Sequence, residues 1–308
     1  MKNFKTQLWE KDFPLVELAS NFLLDVDYDH LAIAHIDFSH HKIYGKNLVK
    51  INDKIFFPEE LIFDLASITK PLTMGLTLLK CEKEKIKLDE KFLLLAEHRS
   101  SIPAWAILSK IDYQQVINSF PIKSAQDLYS DLGAIRFQLE FEKMINTPAE
   151  NFISPSYAPG VFHWLSEKNI HGQPVHDPNA FNIKKFLFHA GMFANFQGLA
   201  LTLLNWQDKF DFIGKIKHQI LIDRKKENKR FCQSFDTKQS EQSLSSTLAS
   251  TTTFGHLGFT GTSFWIDPEK MQGQIIFSNA TKNYWYNKQK LNQFRISYAE
   301  QCFQLHHI

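Results

Sequence analysis

Ser67 and Lys70 stand three residues apart in Phe63-Asp-Leu-Ala-Ser-Ile-Thr-Lys-Pro-Leu72, just ahead of the apolar run Leu72-Thr-Met-Gly-Leu-Thr-Leu-Leu79. The run predicts a buried helix. Residues i and i+3 share a helix face, so the hydroxyl and the amine point into the same space at the helix's N-terminal end. A weak nucleophile beside a potential base is the raw material of covalent catalysis. Pro71 fits this placement, because proline is tolerated in the first turn of a helix and not in its interior. Ser-x-x-Lys on its own also describes an ordinary helix start with a solvated lysine, so partners elsewhere must decide between the readings. Tyr129, in Tyr129-Ser-Asp-Leu-Gly133 before an amphipathic run from Ile135 to Ile145, is one candidate. A tyrosine at a loop-to-helix junction can present its phenol to a site, and it equally fits a half-buried packing residue.

The elements that must position these groups follow from periodicity. Residues 13–25 predict an amphipathic helix with Leu15, Leu18, Phe22 and Leu23 on one side. Leu31 to Phe38 and His41 to Gly45 predict a hairpin turning near Ser39-His40. The charge run Lys80 to Lys87 reads as a solvated turn between helices. From there to about residue 230, alternation is lost and prolines punctuate the chain, which predicts mainly helices and long loops. Gly255 to Pro268 and Gln274 to Ser278 read as strands, and Asn292 to Leu305 as a closing helix. The expected class is α/β (α+β): an antiparallel sheet flanked by helices and assembled from both chain ends, 1–75 with 231–308, interrupted by a mainly helical domain at 76–230.

Composition excludes other classes. The chain has 308 residues, 44% hydrophobic and 22% charged, enough to bury a sizeable core. Its 35 basic and 33 acidic residues nearly cancel, which gives no electrostatic reason to expect nucleic acid. The 28 phenylalanines scatter through apolar stretches as core filling does. Cys81, Cys232 and Cys302 lack metal or redox spacing and read as free thiols. Glu10, Lys11 and Asp12 interrupt any signal-like apolar region, and no stretch reaches the roughly 20 apolar residues of a membrane span. The expected location is cytoplasmic, or extracytoplasmic if a signal was removed; the oligomeric state is left open. His40-His41 reads as a turn, not a metal site, because no third ligand lies near. Gly255-x-x-Gly258-x-x-Gly261 lacks the Gly-x-Gly core of a phosphate loop.

Taken together, Ser67-x-x-Lys70, Tyr129-Ser-Asp131 and His256-Leu-Gly258 resemble the three ordered motifs of the serine β-lactamase and penicillin-binding-protein superfamily, in its class C-like branch. That branch includes D,D-carboxypeptidases, D-aminopeptidases and carboxylesterases. Phe63 to Leu72 is similar to the branch's nucleophile helix, and His98-Arg-Ser-Ser-Ile-Pro-Ala-Trp105 to its His-x-Ser-Gly-Leu-Pro segment. Val175-His-Asp-Pro-Asn-Ala180 and His189-Ala-Gly-Met-Phe193 are similar to its His-Asp and His-Ala-Gly turns. The resemblance spans about residues 25 to 280. It implies the β-lactamase/transpeptidase-like fold, with the active site in a cleft between the two domains. It also implies that His171, His176, Asp177 and His189 belong to structural turns and not to a metal site.

The resemblance implies acyl transfer to water through a serine ester, with no cofactor. Ser67 attacks a carbonyl of a small-molecule or peptide substrate, and Lys70 and Tyr129 accept and relay its proton. The backbone N–H groups of Ser67 and Phe259 form the oxyanion hole, and Asp131, His256, Leu257 and Gly258 face the substrate. Lysine and tyrosine start near pKa 10, so one of them is expected to be shifted down to act as base. Two departures stand out. Leu257 occupies the place of the threonine whose hydroxyl holds a substrate carboxylate in Lys-Thr-Gly or His-Thr-Gly, and His256 is mostly neutral above about pH 6.5. Asp131, where many relatives carry asparagine, adds negative charge. All three favour an esterase or peptidase over an efficient β-lactamase. The alternative is a penicillin-binding or ligand-binding pseudoenzyme with little turnover.

Overall fold

The computed structural model describes residues 5–10, 12–166, 174–227, 229–241, 243–283 and 286–305. Among the described residues, twelve strands run along the chain: β1 (Lys5–Leu8), β2 (His30–Asp37), β3 (Lys42–Ile51), β4 (Lys54–Phe56), β5 (Phe63–Asp64), β6 (Val161–His163), β7 (Met192–Ala194), β8 (Phe231–Cys232), β9 (Phe235–Thr237), β10 (Phe254–Leu257), β11 (Ser263–Asp267) and β12 (Gln272–Ser278). The α-helices are α1 (Pro14–Leu24), α2 (Leu76–Glu84), α3 (Glu90–Ala96), α4 (Tyr113–Ser119), α5 (Asp131–Ile145), α6 (Ala149–Ile153), α7 (Pro178–Ile183), α8 (Phe196–Phe210), α9 (Phe212–Lys226) and α10 (Lys288–Cys302).

The large sheet has the order β1-β3-β2-β12-β11-β10-β9-β8, with β4 added to β3. Its strands thus come from both ends of the chain and meet where β2 pairs with β12, Ile33 opposite Ile276. The pairing is antiparallel except at β1, which runs parallel to β3. Both faces are covered, which is why β2 reads as an almost unbroken apolar run instead of an alternation. Leu31 and Ile33 pack with Leu48 and Ile276 on the face of α1 and α10. Ala32, Ala34 and Ile36 enter the larger core with α8 and α9 on the other face. α1 and α10 are joined by the stacked rings of Phe22 and Phe294, 4.1 Å apart. α8 comes so close to β3 that a Cβ on Gly45 would stand 2.5 Å from the Phe196 ring. The two-residue strand β5 pairs with β7, which pairs with β6, forming a small second sheet beside the nucleophile segment. Those two short strands within 76–230 were not among the sequence expectations; three residues carry too little periodicity to be read.

Candidate active site

Ser67 lies in a single 3₁₀ turn, Ala66–Ile68, which passes through a π-helical turn, Pro71–Gly75, into α2. Every residue from Leu72 to Leu79 is buried. The irregular turn has local causes. Pro71 brings no N–H, Thr73 Oγ donates to the Thr69 and Phe188 carbonyls, and Tyr157 donates to the Leu72 carbonyl. Hydroxyls that take helix carbonyls in this way loosen the regular ladder. Ala66 sits at φ +45°, a left-handed conformation that costs an alanine about 1–2 kcal/mol. Asp64 stabilises it: one carboxyl oxygen accepts from the Ala66 N–H at 2.8 Å, the other from the His176 N–H at 2.7 Å. Burial pushes the Asp64 carboxyl up to about 6, against the pull of those two donors.

Lys70 has no exposed surface. Its Nζ donates to Ser67 Oγ at 3.0 Å and to the His189 carbonyl at 3.0 Å, and lies 2.6 Å from Asp131 Oδ1. Burial opposes its charge, but the Asp131 carboxylate and the Tyr129 phenol outweigh it and hold Lys70 above the ordinary lysine range. Asp131 is placed by the start of α5. Ser130 caps that helix, accepting from the Gly133 N–H at 2.8 Å, and its own Oγ donates to the Pro103 carbonyl. An aspartate in the first turn is also favoured by the helix dipole. Asp131 N donates to the Ala104 carbonyl, so the half-exposed Trp105 follows directly beside it.

Tyr129 places its ring 4.8 Å from Lys70 Nζ. Its hydroxyl is buried without a hydrogen bond of good geometry, and burial raises its pKa although the Lys70 ammonium pulls the other way. Neither Lys70 nor Tyr129 is therefore shifted down, contrary to the sequence expectation: burial dominates at Tyr129 and the Asp131 charge adds to it, while Asp131 holds Lys70 up.

Behind Tyr129 lie two buried histidines. His98 packs on the Tyr129 ring at 4.5 Å and accepts from the Ser130 N–H through Nδ1, so its proton is on Nε2. His256 Nδ1 donates to the Leu257 carbonyl at 2.8 Å, which leaves its buried Nε2 as an unpartnered acceptor. Burial, then Lys70, drives His256 down to about 3, so it is neutral throughout the physiological range. Leu257 is half-buried at the end of β10.

The turn after β10 is bound directly to the nucleophile segment. Thr260 Oγ donates to the Asp64 carbonyl at 2.6 Å and Thr262 Oγ to that of Leu65 at 3.3 Å. A Cβ on Gly258 would lie 2.0 Å from Thr262 Oγ and 2.6 Å from the Leu65 carbonyl, so only glycine fits. The Gly258 carbonyl accepts from the Gly261 N–H, which turns the Phe259 N–H of the same peptide to the opposite side. Phe259 is 52% exposed and stacks on His176 at 5.4 Å. The structure thus gathers Ser67, Lys70, Tyr129, Asp131 and His256 around one amine, and holds Leu257, Gly258 and Phe259 against the same turn. Sequence reasoning did not find the His189 carbonyl or the two threonines, since a carbonyl acceptor and a buried hydroxyl leave no spacing signal.

Asp177 accepts from His189 Nε2 at 2.8 Å and from the Ala180 N–H at the start of α7. His171 lies outside the described residues. Among those residues, no helix is long and apolar enough to cross a membrane.

No family model matches the chain, and no curated protein matches it by sequence. Solved structures do match over nearly its whole length. EstCE1, a hydrolase with promiscuous acyltransferase activity, superposes with a TM-score of 0.65 at 11% identity, over 92% of this chain and 98% of that one. The chain has the fold of the serine β-lactamases and penicillin-binding proteins. A class C β-lactamase from Rhodobacter sphaeroides matches with a TM-score of 0.62 at 12% identity, over 94% of this chain and 97% of that one. EstA from Arthrobacter nitroguajacolicus Rue61a matches with a TM-score of 0.62 at 14% identity, over 94% and 96%. The fold therefore accommodates both a β-lactamase and a hydrolase with acyltransferase activity.

Proposed function

We propose that this chain is a serine hydrolase that forms an acyl-enzyme on Ser67 and acts as an esterase or peptidase on substrates less acidic than β-lactams. The observation that carries the reading is the fully buried Lys70 amine, 3.0 Å from Ser67 Oγ. A lysine is rarely buried without a task that needs its charge or its proton. Ser67 attacks the carbonyl carbon, Lys70 and Tyr129 handle the proton, and the backbone N–H groups of Ser67 and Phe259 receive the developing oxyanion. Proton handling of this kind contributes about 10²- to 10⁴-fold.

Substrate preference follows from what faces the acyl group. His256 supplies no positive charge, Leu257 no hydroxyl, and Asp131 neutralises Lys70. β-Lactams and D-Ala-D-Ala peptides present a carboxylate that would meet no free cation among these groups. Short-chain p-nitrophenyl esters are expected to be hydrolysed with kcat/KM at least tenfold above that for penicillins and cephalosporins, in a reaction abolished by Ser67→Ala. Faster hydrolysis of the β-lactams would overturn the preference.

A further inference from the structure

Asp131 does more than face the cleft. A lysine ammonium has three protons, and Lys70 Nζ has an acceptor for each: Ser67 Oγ at 3.0 Å, the His189 carbonyl at 3.0 Å and Asp131 Oδ1 at 2.6 Å. An ammonium bonded in this way can take the Ser67 proton only by releasing one of its own. The His189 carbonyl cannot accept a proton near neutral pH, whereas a carboxylate can. The other titratable groups around Lys70 do not compete. Tyr129 is pushed up by burial, His98 and His256 are held neutral by burial and by Lys70 itself, and Asp177 is bound to His189.

Resting on the acyl-enzyme reading above, we propose that Asp131 acts through Lys70 as the terminal proton acceptor of acylation, so that Ser67, Lys70 and Asp131 form one proton-transfer chain. At rest the pair is ammonium and carboxylate. Before attack, Nζ passes the proton facing Asp131 to Oδ1, which leaves a neutral amine beside a neutral carboxylic acid, and rotation about Cε–Nζ turns the amine lone pair to the Ser67 hydroxyl. As the Oγ–C bond forms and the carbonyl π pair moves onto oxygen, the amine takes the Ser67 proton and becomes an ammonium that faces the oxyanion. Collapse of the tetrahedral intermediate breaks the bond to the leaving group, which takes a proton from Nζ while Oδ1 returns its own. Attack by water on the acyl-enzyme repeats the sequence. Charge is conserved at each step, and an amine beside a neutral carboxylic acid is an acceptable state in a dry site, where separated charges are costly. Asp131 is a positioning residue for the proton; it does not touch the reacting carbonyl.

The test is the pH dependence of kcat/KM for p-nitrophenyl acetate with wild type, Asp131→Asn and Asp131→Glu, each checked for folding by circular dichroism. In Asp131→Asn the amine must lose its own proton before it can accept that of Ser67. The acid limb should therefore move to higher pH by at least one unit, with at least a tenfold loss at pH 7, and Asp131→Glu should restore both. If Asp131→Asn is inactive at every pH, restoration by Asp131→Glu alone supports the chain, and its failure in a folded protein counts against it. An acid limb that moves to lower pH would show Lys70 acting as a direct base whose protonation Asp131 merely favours. That result, or an unmoved limb, overturns the proposal. Wild-type turnover by Ser67→Ala would instead remove the acyl-enzyme reading itself, whatever Asp131 does.

Discussion

At the scale of single residues, the buried charge of Lys70 organises the site. Its Nζ forms an ion pair with Asp131 at 2.6 Å, and burial, reinforced by the Lys70 charge, keeps His98 and His256 neutral around it. Ser67, Lys70 and Tyr129 were legible as candidates, as residue types at a spacing. The state of Lys70 was not, because it depends on which carboxylate lies across the cleft. Leu257 belongs to this scale too. Leu257→Thr is expected to raise kcat/KM for carboxylate-bearing substrates, peptides ending in D-Ala-D-Ala or penicillins, by a factor equivalent to about 1.5–3 kcal/mol, the value of one hydrogen bond to a charged group. Activity on neutral esters should stay within about threefold. A gain on neutral esters alone, measured by steady-state kinetics, would contradict the assignment of this position to substrate anchoring.

At the scale of elements, the site depends on how the β10 turn is fixed to the Ser67 turn. Thr260 and Thr262 bond the carbonyls of Asp64 and Leu65, and Gly258 lets the two backbones touch. The strands themselves could be read in part: β2 and β12 are apolar runs, whereas the reading stopped at Gly45 within β3 and ran β10 and β11 together across the turn between them. β5, β6 and β7 could not, since two or three residues carry no period. The close approach at Gly258 was also hidden, for glycine is equally compatible with a turn or a bulge. Gly258→Ala is expected to destabilise the protein by about 1–3 kcal/mol, because the Cβ must displace a backbone carbonyl and not only a flexible side chain. Under the proposed oxyanion role of the Phe259 N–H, it should also lower kcat/KM by at least tenfold. Urea denaturation and ester hydrolysis on the same variant check both, and full activity at wild-type stability would refute this account of the turn.

At the scale of the whole molecule, strands from both chain ends close one sheet, and its two faces carry separate cores. The sequence reading of strands at both ends around a helical middle anticipated this architecture. It did not show that β1 joins in parallel, because strand direction is set by tertiary packing. The cost of so much burial is visible in the histidines. Burial lowers His35 to about 4, His163 and His256 to about 3, and His98 well below its usual value. Each is neutral in the fold and protonates near pH 6.5 once unfolded, so between the two values the unfolded state binds more protons and stability falls as pH falls. Each contributes a slope of up to about 1.4 kcal/mol per pH unit. Asp64, raised to about 6, opposes them with one slope of the opposite sign between pH 6 and its unfolded value. Chemical denaturation should therefore show a loss of at least about 2 kcal/mol between pH 7 and pH 5, and constant stability over that interval would contradict the buried, neutral state of these side chains.

The central claim is that this cleft makes a covalent ester on Ser67, and intact-mass spectrometry tests it most directly. Incubated with a fluorophosphonate or a fluorescent penicillin, the wild-type protein should gain the mass of a single adduct with at least one of the two, and Ser67→Ala should gain none. An adduct that forms equally on Ser67→Ala, or no adduct with either probe, would contradict the account.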